Sequence, residues 1–304
     1  MKNKINGIIN VYKEAGFTSF DVVAKLRGIA GQRKIGHTGT LDPDAVGVLP
    51  VVLGNATKLV DMMTEKRKEY IAEFVLGKVT DTQDISGQVL RESPVSCTAD
   101  EVTRTAMSFK GDIEQIPPMY SALKVDGKRL YELAREGKEV ERKARPVTIY
   151  DIEILEVSVP TVKMRVECSK GTYIRTLCYD IGEKLGCGAT MTSLVRTASG
   201  QFRIENAYRL SELQELKDTG RLEDIVIGVD SVFAEYAAVR LTGEQLRLAG
   251  NGNMLDGKEC LKYLTEDGKR DCLRIYNDKN EFFALYTTDN GGKRYKVDKM
   301  FPIE

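Results

Sequence analysis

Hydrophobic and polar positions in the first part of the chain alternate between a helical and a strand period. Apolar residues that follow the Thr18-Ser19 pair recur at helical spacing and predict a helix capped at that pair; they are Val22, Val23, Leu26 and Ile29. The apolar run over residues 48–53 predicts a buried strand or the start of a helix. Residues 70–76 (YIAEFVL) have the composition of a strand.

The later segments show further regular patterns, which predict a helix over 98–110, a proline-containing loop with a short helix over 115–138, strands over 147–157 and 162–168, and a helix over 174–185. The strand over 162–168 shows the strictest alternation of apolar and charged residues. Strands and helices do not alternate as regular βαβ units. We therefore expect an α+β fold with a mixed, largely antiparallel sheet flanked by helices.

The pattern changes near residues 228–237, which predicts a domain boundary. We place a larger domain over residues 1–231 and a small β-rich domain over residues 232–304. Short apolar segments in the second part predict strands over 259–264, 272–276 and 282–287.

Composition excludes several classes of protein. No apolar run reaches the roughly 18–20 residues of a membrane span, and residues 1–13 lack the pattern of a secretory signal. The six cysteines form no CxxC pair and there is one histidine, so we expect reduced thiols, a cytoplasmic location and no metal. The 45 basic and 45 acidic residues balance, but the stretch from Val22 to Leu41 lacks acidic residues and carries basic ones, namely Lys25, Arg27, Arg33 and Lys34.

The segment GHTGTLDPDAVGVLP over residues 36–50 holds the single histidine, His37, and an Asp-Pro pair at Asp42. An Asp-Pro pair by itself is typical of a turn. A carboxylate that acts as a nucleophile or base in a pocket needs a cationic partner to stay ionised. Arg175 is a candidate because the pattern places it in the first turn of a helix.

Four long blocks follow one another along the chain: GHTGTLDPDAVGVLPVVLGNATKL, KEYIAEFVLGKVTDTQDISGQV, QIPPMYSALKVDGKRLYELAREG and CSKGTYIRTLCYDIGEKLGCGATMTSLVRTASG. In sequence and order they resemble the TruB family, the bacterial tRNA pseudouridine-55 synthases. The resemblance covers about residues 5–232. It implies the pseudouridine synthase fold, and the remaining tail resembles the small PUA-like RNA-binding domain of this family.

The same blocks imply roles for individual residues. Catalytic roles fall on Asp42 as the essential aspartate, Tyr70 as the tyrosine that stacks on the uracil, and Arg175 as the partner of the aspartate. Substrate contacts fall on a second set of residues, which are His37, Lys13, Leu194, Thr40 and Lys124. His37 corresponds to the histidine that fills the space left by the flipped nucleotide.

The implied reaction converts uridine-55 of the tRNA T loop to pseudouridine without a cofactor. The expected partner is the T-arm stem-loop of tRNA, with no guide RNA and no membrane, and the expected state is a monomer. Asp42 acts either as a nucleophile at ribose C1′ or as a base on the 2′-hydroxyl, and both routes stay open. Asp44 departs from the family pattern; facing inward it would raise the pKa of Asp42, and we expect it to face solvent.

Three other functions compete with this one. A guide-RNA-directed synthase has a similar loop, and activity on bare tRNA separates it from the leading hypothesis. A non-catalytic RNA-binding protein or tRNA folding chaperone would refold tRNA without needing Asp42. A hydrolase with an aspartyl nucleophile would release free uracil.

Overall fold

The computed structural model describes residues 4–125, 127–288 and 290–301. Its strands are β1 (Gly7–Lys13), β2 (Ile35–His37), β3 (Val46–Leu53), β4 (Lys68–Leu76), β5 (Lys78–Thr80), β6 (Val89–Glu92), β7 (Gly111–Gln115), β8 (Lys124–Val125), β9 (Lys128–Arg129), β10 (Arg145–Ser158), β11 (Thr161–Cys168), β12 (Ala189–Ser199), β13 (Phe202–Arg203), β14 (Tyr236–Arg240), β15 (Leu255–Asp256), β16 (Leu264–Glu266), β17 (Lys269–Tyr276), β18 (Phe282–Thr287) and β19 (Arg294–Met300).

The helices alternate irregularly with these strands. The α-helices are α1 (Ser19–Ala30), α2 (Val60–Thr64), α3 (Ala99–Met107), α4 (Leu130–Arg135), α5 (Ile174–Lys184), α6 (Leu210–Asp218), α7 (Gly243–Gly250) and α8 (Gly257–Leu261). Short 3-10 helices span Gly54–Leu59, Ile204–Asn206, Leu222–Ile225 and Val229–Phe233.

The larger sheet has nine strands, and seven of them lie side by side in the order β1-β3-β12-β4-β11-β10-β7. Strand β2 pairs with β3, and β13 pairs with β12. Every pair in this sheet is antiparallel except β3 with β12, which run parallel where Val46 faces Val195 and Gly47 faces Arg196. The prediction of a mixed, largely antiparallel sheet is confirmed.

One face of this sheet is covered by α1. The helix begins at Thr18, whose side chain accepts a hydrogen bond from the backbone N–H of Asp21, as the sequence predicts. Its apolar stripe, which includes Val22 and Leu26, packs on buried side chains of β1 and β3. The apolar run over 48–53 is part of strand β3, so the strand alternative was correct.

The predicted elements in the middle of the chain form a second core. Alternate residues of β4 and β11 are buried and pack against α3 and α5. Helix α3 ends at Met107, three residues before the predicted limit, and Gly111 opens β7 instead of closing the helix. This core supports β4, β12 and α5, which carry the candidate site residues Tyr70, Leu194 and Arg175.

Residues beyond 235 form a six-stranded sheet in the order β15-β19-β18-β17-β14-β16 with its own core. The strands predicted over 272–276 and 282–287 are confirmed as parts of β17 and β18. The strand predicted over 259–264 is wrong, because the Asp256 carboxylate accepts hydrogen bonds from the N–H groups of Lys258 and Glu259 and starts helix α8.

The two sheets share an apolar cluster. It joins Ile8 and Val48 of the larger sheet to Phe233, Leu285 and Phe301. The predicted boundary between residues 231 and 232 falls inside the 3-10 helix Val229–Phe233 and stays a prediction. Among the helices of residues 4–125, 127–288 and 290–301, none is long and apolar enough to cross a membrane.

Candidate active site

The segment that carries Asp42 is a loop between β2 and β3, and it is held on both sides. The Leu41 N–H donates to the Ser19 hydroxyl at 2.9 Å, at the start of α1. The Gly16 N–H donates to the Pro43 carbonyl at 3.1 Å. These bonds fix the backbone around Asp42, so the aspartate is presented from an anchored loop.

Arg175 lies in the first turn of α5 and is buried, with 5% of its surface exposed. Its Nη2 lies 3.3 Å from Oδ2 of Asp42 and donates to the Tyr120 carbonyl at 2.6 Å. Its Nη1 lies 3.3 Å from Oδ2 of Asp84. The helix, the loop and two distant segments therefore meet at one guanidinium, which supplies the cationic partner that Asp42 requires.

Asp84 is a site residue that sequence reasoning missed. It lies in the turn between β5 and β6, where its Oδ1 accepts hydrogen bonds from the Thr82 hydroxyl at 2.7 Å and the Ser86 N–H at 3.1 Å. Its side chain is 17% exposed. The polar TDTQDISG segment predicts a turn, but the sequence does not show whether Asp81 or Asp84 contributes to the site. Only the contact with Arg175 in the structure identifies Asp84.

The environment of Asp42 opposes its ionisation. Burial raises the pKa of this carboxyl, the Arg175 charge lowers it and the Asp84 charge raises it, with a net upward shift. The side chain still exposes 42% of its surface, so a ligand can reach it. Asp44 is exposed, as expected, and stands last among the charges acting on Asp42.

Tyr70 and Leu194 come from neighbouring strands and share one apolar cluster. Each is 9% exposed, and both pack in the cluster that contains Leu41 and Ala45 of the Asp42 loop. Burial raises the pKa of the Tyr70 hydroxyl, and the charge of Arg196 partly offsets this effect. An aromatic ring and an aliphatic side chain therefore line the loop of the candidate catalytic aspartate.

Lys13 is fully buried beneath the same loop. Its Nζ donates to the carbonyls of Pro43 at 2.8 Å, Ala45 at 2.6 Å and Glu14 at 3.2 Å. Burial lowers the pKa of Lys13 to about 8, while the nearby Asp42 charge acts in the opposite direction. This placement ties the lysine to the loop backbone and gives it no exposed surface.

The other predicted contact residues lie around this centre. His37 ends β2 and is half-buried, and burial, followed by the Arg196 charge, lowers the pKa of its imidazole. Thr40 is exposed on the Asp42 loop. Lys124 is exposed in the β8–β9 hairpin, whose small apolar cluster includes Tyr120, the residue whose carbonyl binds Arg175.

Arg196 is a second residue that sequence reasoning missed. It is 1% exposed, and its Nε donates to the Val48 carbonyl at 2.7 Å. Its Nη2 donates to the Gly39 carbonyl at 3.2 Å and its Nη1 to the Thr40 carbonyl at 3.4 Å. The sequence did hold a signal, because in LVRTAS Arg196 lies two residues from both Leu194 and Ala198, on the face of the strand that these apolar residues share.

The site combines the accessible carboxylate of Asp42 with the guanidinium of Arg175, the ring of Tyr70 and the half-buried imidazole of His37. Within the described ranges, no group of three or more His, Cys, Asp or Glu side chains is placed to hold a metal ion. The arrangement suits attack or proton removal by the carboxylate on a polar ligand that rests on the tyrosine ring.

Two family models match residues 27–234, and curated relatives match nearly the entire chain. A model for "TruB family pseudouridylate synthase (N terminal domain)" matches residues 27–174, and one for "tRNA pseudouridylate synthase B C-terminal domain" matches residues 175–234. The tRNA pseudouridine synthase B of Clostridium novyi is 49% identical over 296 residues, 97% of this chain and 99% of the relative. The tRNA pseudouridine synthase B of Lachnoclostridium phytofermentans is 49% identical over 306 residues, 98% of this chain and 100% of the relative.

Solved structures show the same fold. An H/ACA RNP bound to a substrate RNA containing 2′-deoxyuridine matches with a TM-score of 0.72 and 27% identity, covering 98% of this chain and 85% of that chain. A Cbf5-Nop10-Gar1 complex matches with a TM-score of 0.72 and 29% identity, covering 97% and 85%. The predicted family and fold are confirmed, and on these matches the chain belongs to the TruB family of pseudouridylate synthases.

Proposed function

We propose that this chain is a tRNA pseudouridine synthase that isomerises uridine-55 in the T loop of tRNA. The observation that carries the proposal is the contact of Asp42 with the buried Arg175, in a loop that also packs against Tyr70. The relatives named tRNA pseudouridine synthase B support tRNA as the substrate.

The reaction is an isomerisation in which no atom is gained or lost. The bond between ribose C1′ and uracil N1 breaks, the base turns, and a bond forms between C1′ and C5. C5 then loses its proton and N1 takes one up, so the composition does not change. Asp42 either attacks C1′ and is displaced when C5 bonds to C1′, or takes a proton as a base at the 2′ position and returns it when that bond forms. Both routes need its ionised form. Arg175 favours that form and orients the carboxylate.

A uridine in a folded loop reaches this site by flipping out of its stack, which costs a few kcal/mol. The Tyr70 ring then receives the uracil, with stacking worth roughly 1–3 kcal/mol. His37 occupies the space that the base leaves, and burial keeps the pKa of its imidazole low, which favours the uncharged stacking form. Lys13 holds the loop through three carbonyls, and this contribution is structural.

The proposed partner is the tRNA T-arm alone, read by a monomer in the cytoplasm. Leu194 lines the base pocket, and Thr40 and Lys124 are exposed where RNA can contact them. The structural neighbours are components of an H/ACA RNP and of a Cbf5-Nop10-Gar1 complex. Conversion of a bare T-arm stem-loop without guide RNA or protein partners distinguishes the proposed enzyme from such assemblies.

The substitution Asp42→Asn tests the assignment directly. It keeps the size of the side chain and removes the anion, so we expect turnover to fall by at least about 10⁴-fold while the Kd for the T-arm stem-loop changes little. Pseudouridine is mapped by chemical modification after incubation with each protein, and Kd is measured by filter binding.

Asp44→Asn is the matched control, because it removes an exposed carboxylate two residues away. Normal turnover by the Asp42→Asn variant would refute the catalytic assignment. Release of free uracil by the unmodified protein would instead identify a hydrolase.

A further inference from the structure

The buried Arg196 side chain joins two segments that carry site residues. Arg196 and Tyr70 are direct partners in the antiparallel pair of β12 and β4. Directly opposite residues of such a pair project from the same face of the sheet, so the guanidinium starts on the face of the tyrosine ring. It ends at the carbonyls of Gly39 and Thr40, in the loop of the catalytic aspartate.

The backbones of β3 and β12 lie very close together where Gly47 meets Arg196. Gly47 faces Arg196 in the parallel pair of β3 and β12, and a Cβ at Gly47 would lie 2.3 Å from the Arg196 carbonyl oxygen. The Arg196 Nε also donates to Val48, one residue further along β3. The pairing of β3 with β12 and the hydrogen bonds of the guanidinium together tie β3 and the preceding loop to β12.

The cost of burying this cation indicates that the bonds matter. Arg196 is 1% exposed, and its guanidinium donates hydrogen bonds to three backbone carbonyls. Burying a charge is expensive unless it is well hydrogen-bonded, and the planar guanidinium can bind several carbonyls in fixed directions. A neutral core residue would fill the position at lower cost, but it would not fix the loop.

The electrostatic surroundings agree with the geometry. The Arg196 charge acts with burial to lower the pKa of His37. It also lowers the pKa of Tyr70 against the larger effect of burial, while Cys168 and Asp42 act on Tyr70 in the raising direction. The Arg196 charge therefore acts on both residues that the proposed function places against the RNA.

We infer that Arg196 is a positioning residue, which sets the loop bearing Asp42 against the strand bearing Tyr70. The inference rests on the proposed function and adds a residue to it. Because Arg196 is buried, it acts through the loop and not through the substrate. Its loss therefore slows the chemical step and leaves RNA affinity nearly unchanged.

The first test compares single-turnover rates and T-arm affinity in two variants. We expect Arg196→Gln to lower the single-turnover rate at least about 100-fold with less than about a 3-fold change in Kd. Arg196→Lys keeps the charge but loses the fork of donors, and we expect a loss of about 10-fold. Arg274→Gln is the matched control, since it removes another buried guanidinium that lies in the smaller sheet. Its rate should stay within about 3-fold of the unmodified protein.

A second readout does not depend on activity, because His37 is the only histidine in the chain. Its imidazole resonances can be titrated by NMR. We expect the pKa of His37 to rise in Arg196→Gln and to stay near its original value in Arg196→Lys.

Several outcomes would overturn the inference. They are rates in both variants within about 3-fold of the unmodified protein, a rise in Kd as large as the fall in rate, or an unchanged His37 titration in folded Arg196→Gln. If Arg196→Gln does not fold, the rate and Kd of Arg196→Lys decide. Failure of the unmodified protein to convert the T-arm would refute the proposed function, and the His37 titration would then show only whether the Arg196 charge acts on His37.

Discussion

At the scale of single residues, the site depends on buried cations that bind backbone carbonyls. Lys13 donates to three carbonyls around the Asp42 loop, and Arg196 donates to three others. Both side chains lose their hydration, and the carbonyl bonds offset part of this cost. Such residues shape the site without meeting the substrate.

Lys13 gives a pH-dependent prediction. Burial lowers the pKa of Lys13 from 10.5 in the unfolded chain to about 8 in the native state. Between these values the unfolded state binds more protons, so the free energy of unfolding rises with pH across this window. The Lys13→Met variant lacks this effect. We therefore expect the unmodified protein to gain stability relative to the variant as pH rises, by at most about 3 kcal/mol.

Urea unfolding at pH values below, within and above this window measures the difference. Lys25→Met, which removes an exposed amine, controls for the loss of a lysine charge. A stability difference between Lys13→Met and the unmodified protein that does not change with pH would contradict the prediction.

Part of the site could be predicted from the sequence, and there is a physical reason why the rest could not. Asp42, Tyr70 and Arg175 were proposed from family blocks, and the structure brings them together. Asp84 and Arg196 escaped because their partners depend on how strands pair and how far long side chains reach. Those distances follow from register, which one sequence does not display.

At the scale of elements, the parallel contact of β3 and β12 sets the geometry of the site. Gly47 has φ +106°, and the β12 backbone lies where its Cβ would be. The Gly47→Ala change therefore adds a steric clash to backbone strain. Gly111 has φ +112°, and a Cβ added there would meet no atom within 4 Å, so Gly111→Ala adds strain alone.

We expect Gly47→Ala to cost at least about 2 kcal/mol more than Gly111→Ala, because only the first must push two strands apart. Chemical denaturation of both variants measures the difference. Equal losses of stability would show that β12 yields easily at this contact.

Element type was easier to predict than element pairing. Periodicity identified α1 and β11, each of which buries one face against a core, and strand composition identified β4. It failed over residues 259–264, where a capping aspartate outside the predicted segment converts an apolar stretch to the helix α8. The parallel pairing of β3 with β12 left no local pattern at all.

At the scale of the whole molecule, the two sheets are joined by a common apolar cluster. The Phe233 and Phe282 rings lie 6.4 Å apart, and the Phe282 and Phe301 rings 5.3 Å apart. A hydrogen bond of 2.8 Å from the Tyr276 hydroxyl to Asp230 adds a polar link. The predicted boundary could not be recognised as a loose linker, because the chain there is a packed 3-10 helix.

This junction predicts coupled unfolding of the two parts. We expect one calorimetric transition for the full chain, because separating the sheets exposes the shared cluster. Phe233→Ala removes a buried ring, so we expect a loss of about 3–5 kcal/mol and a split into two transitions.

Phe20→Ala is the matched control, since Phe20 is 63% exposed on α1. It should preserve the single transition. A single, merely shifted transition in Phe233→Ala would show that other contacts are enough to couple the two parts.

Partners in the site lie far apart along the chain, and this separation determines when the site can form during translation. Asp42 and Arg175 are 133 positions apart, and Arg196 and Val48 are 148 apart. A chain made from its N-terminus contains the aspartate loop and its early partners Lys13 and Ser19 long before Arg175 and Arg196 exist. A nascent or prematurely terminated chain that ends before α5 therefore holds the Asp42 carboxylate without either arginine, and the arrangement proposed for catalysis is complete only late in translation.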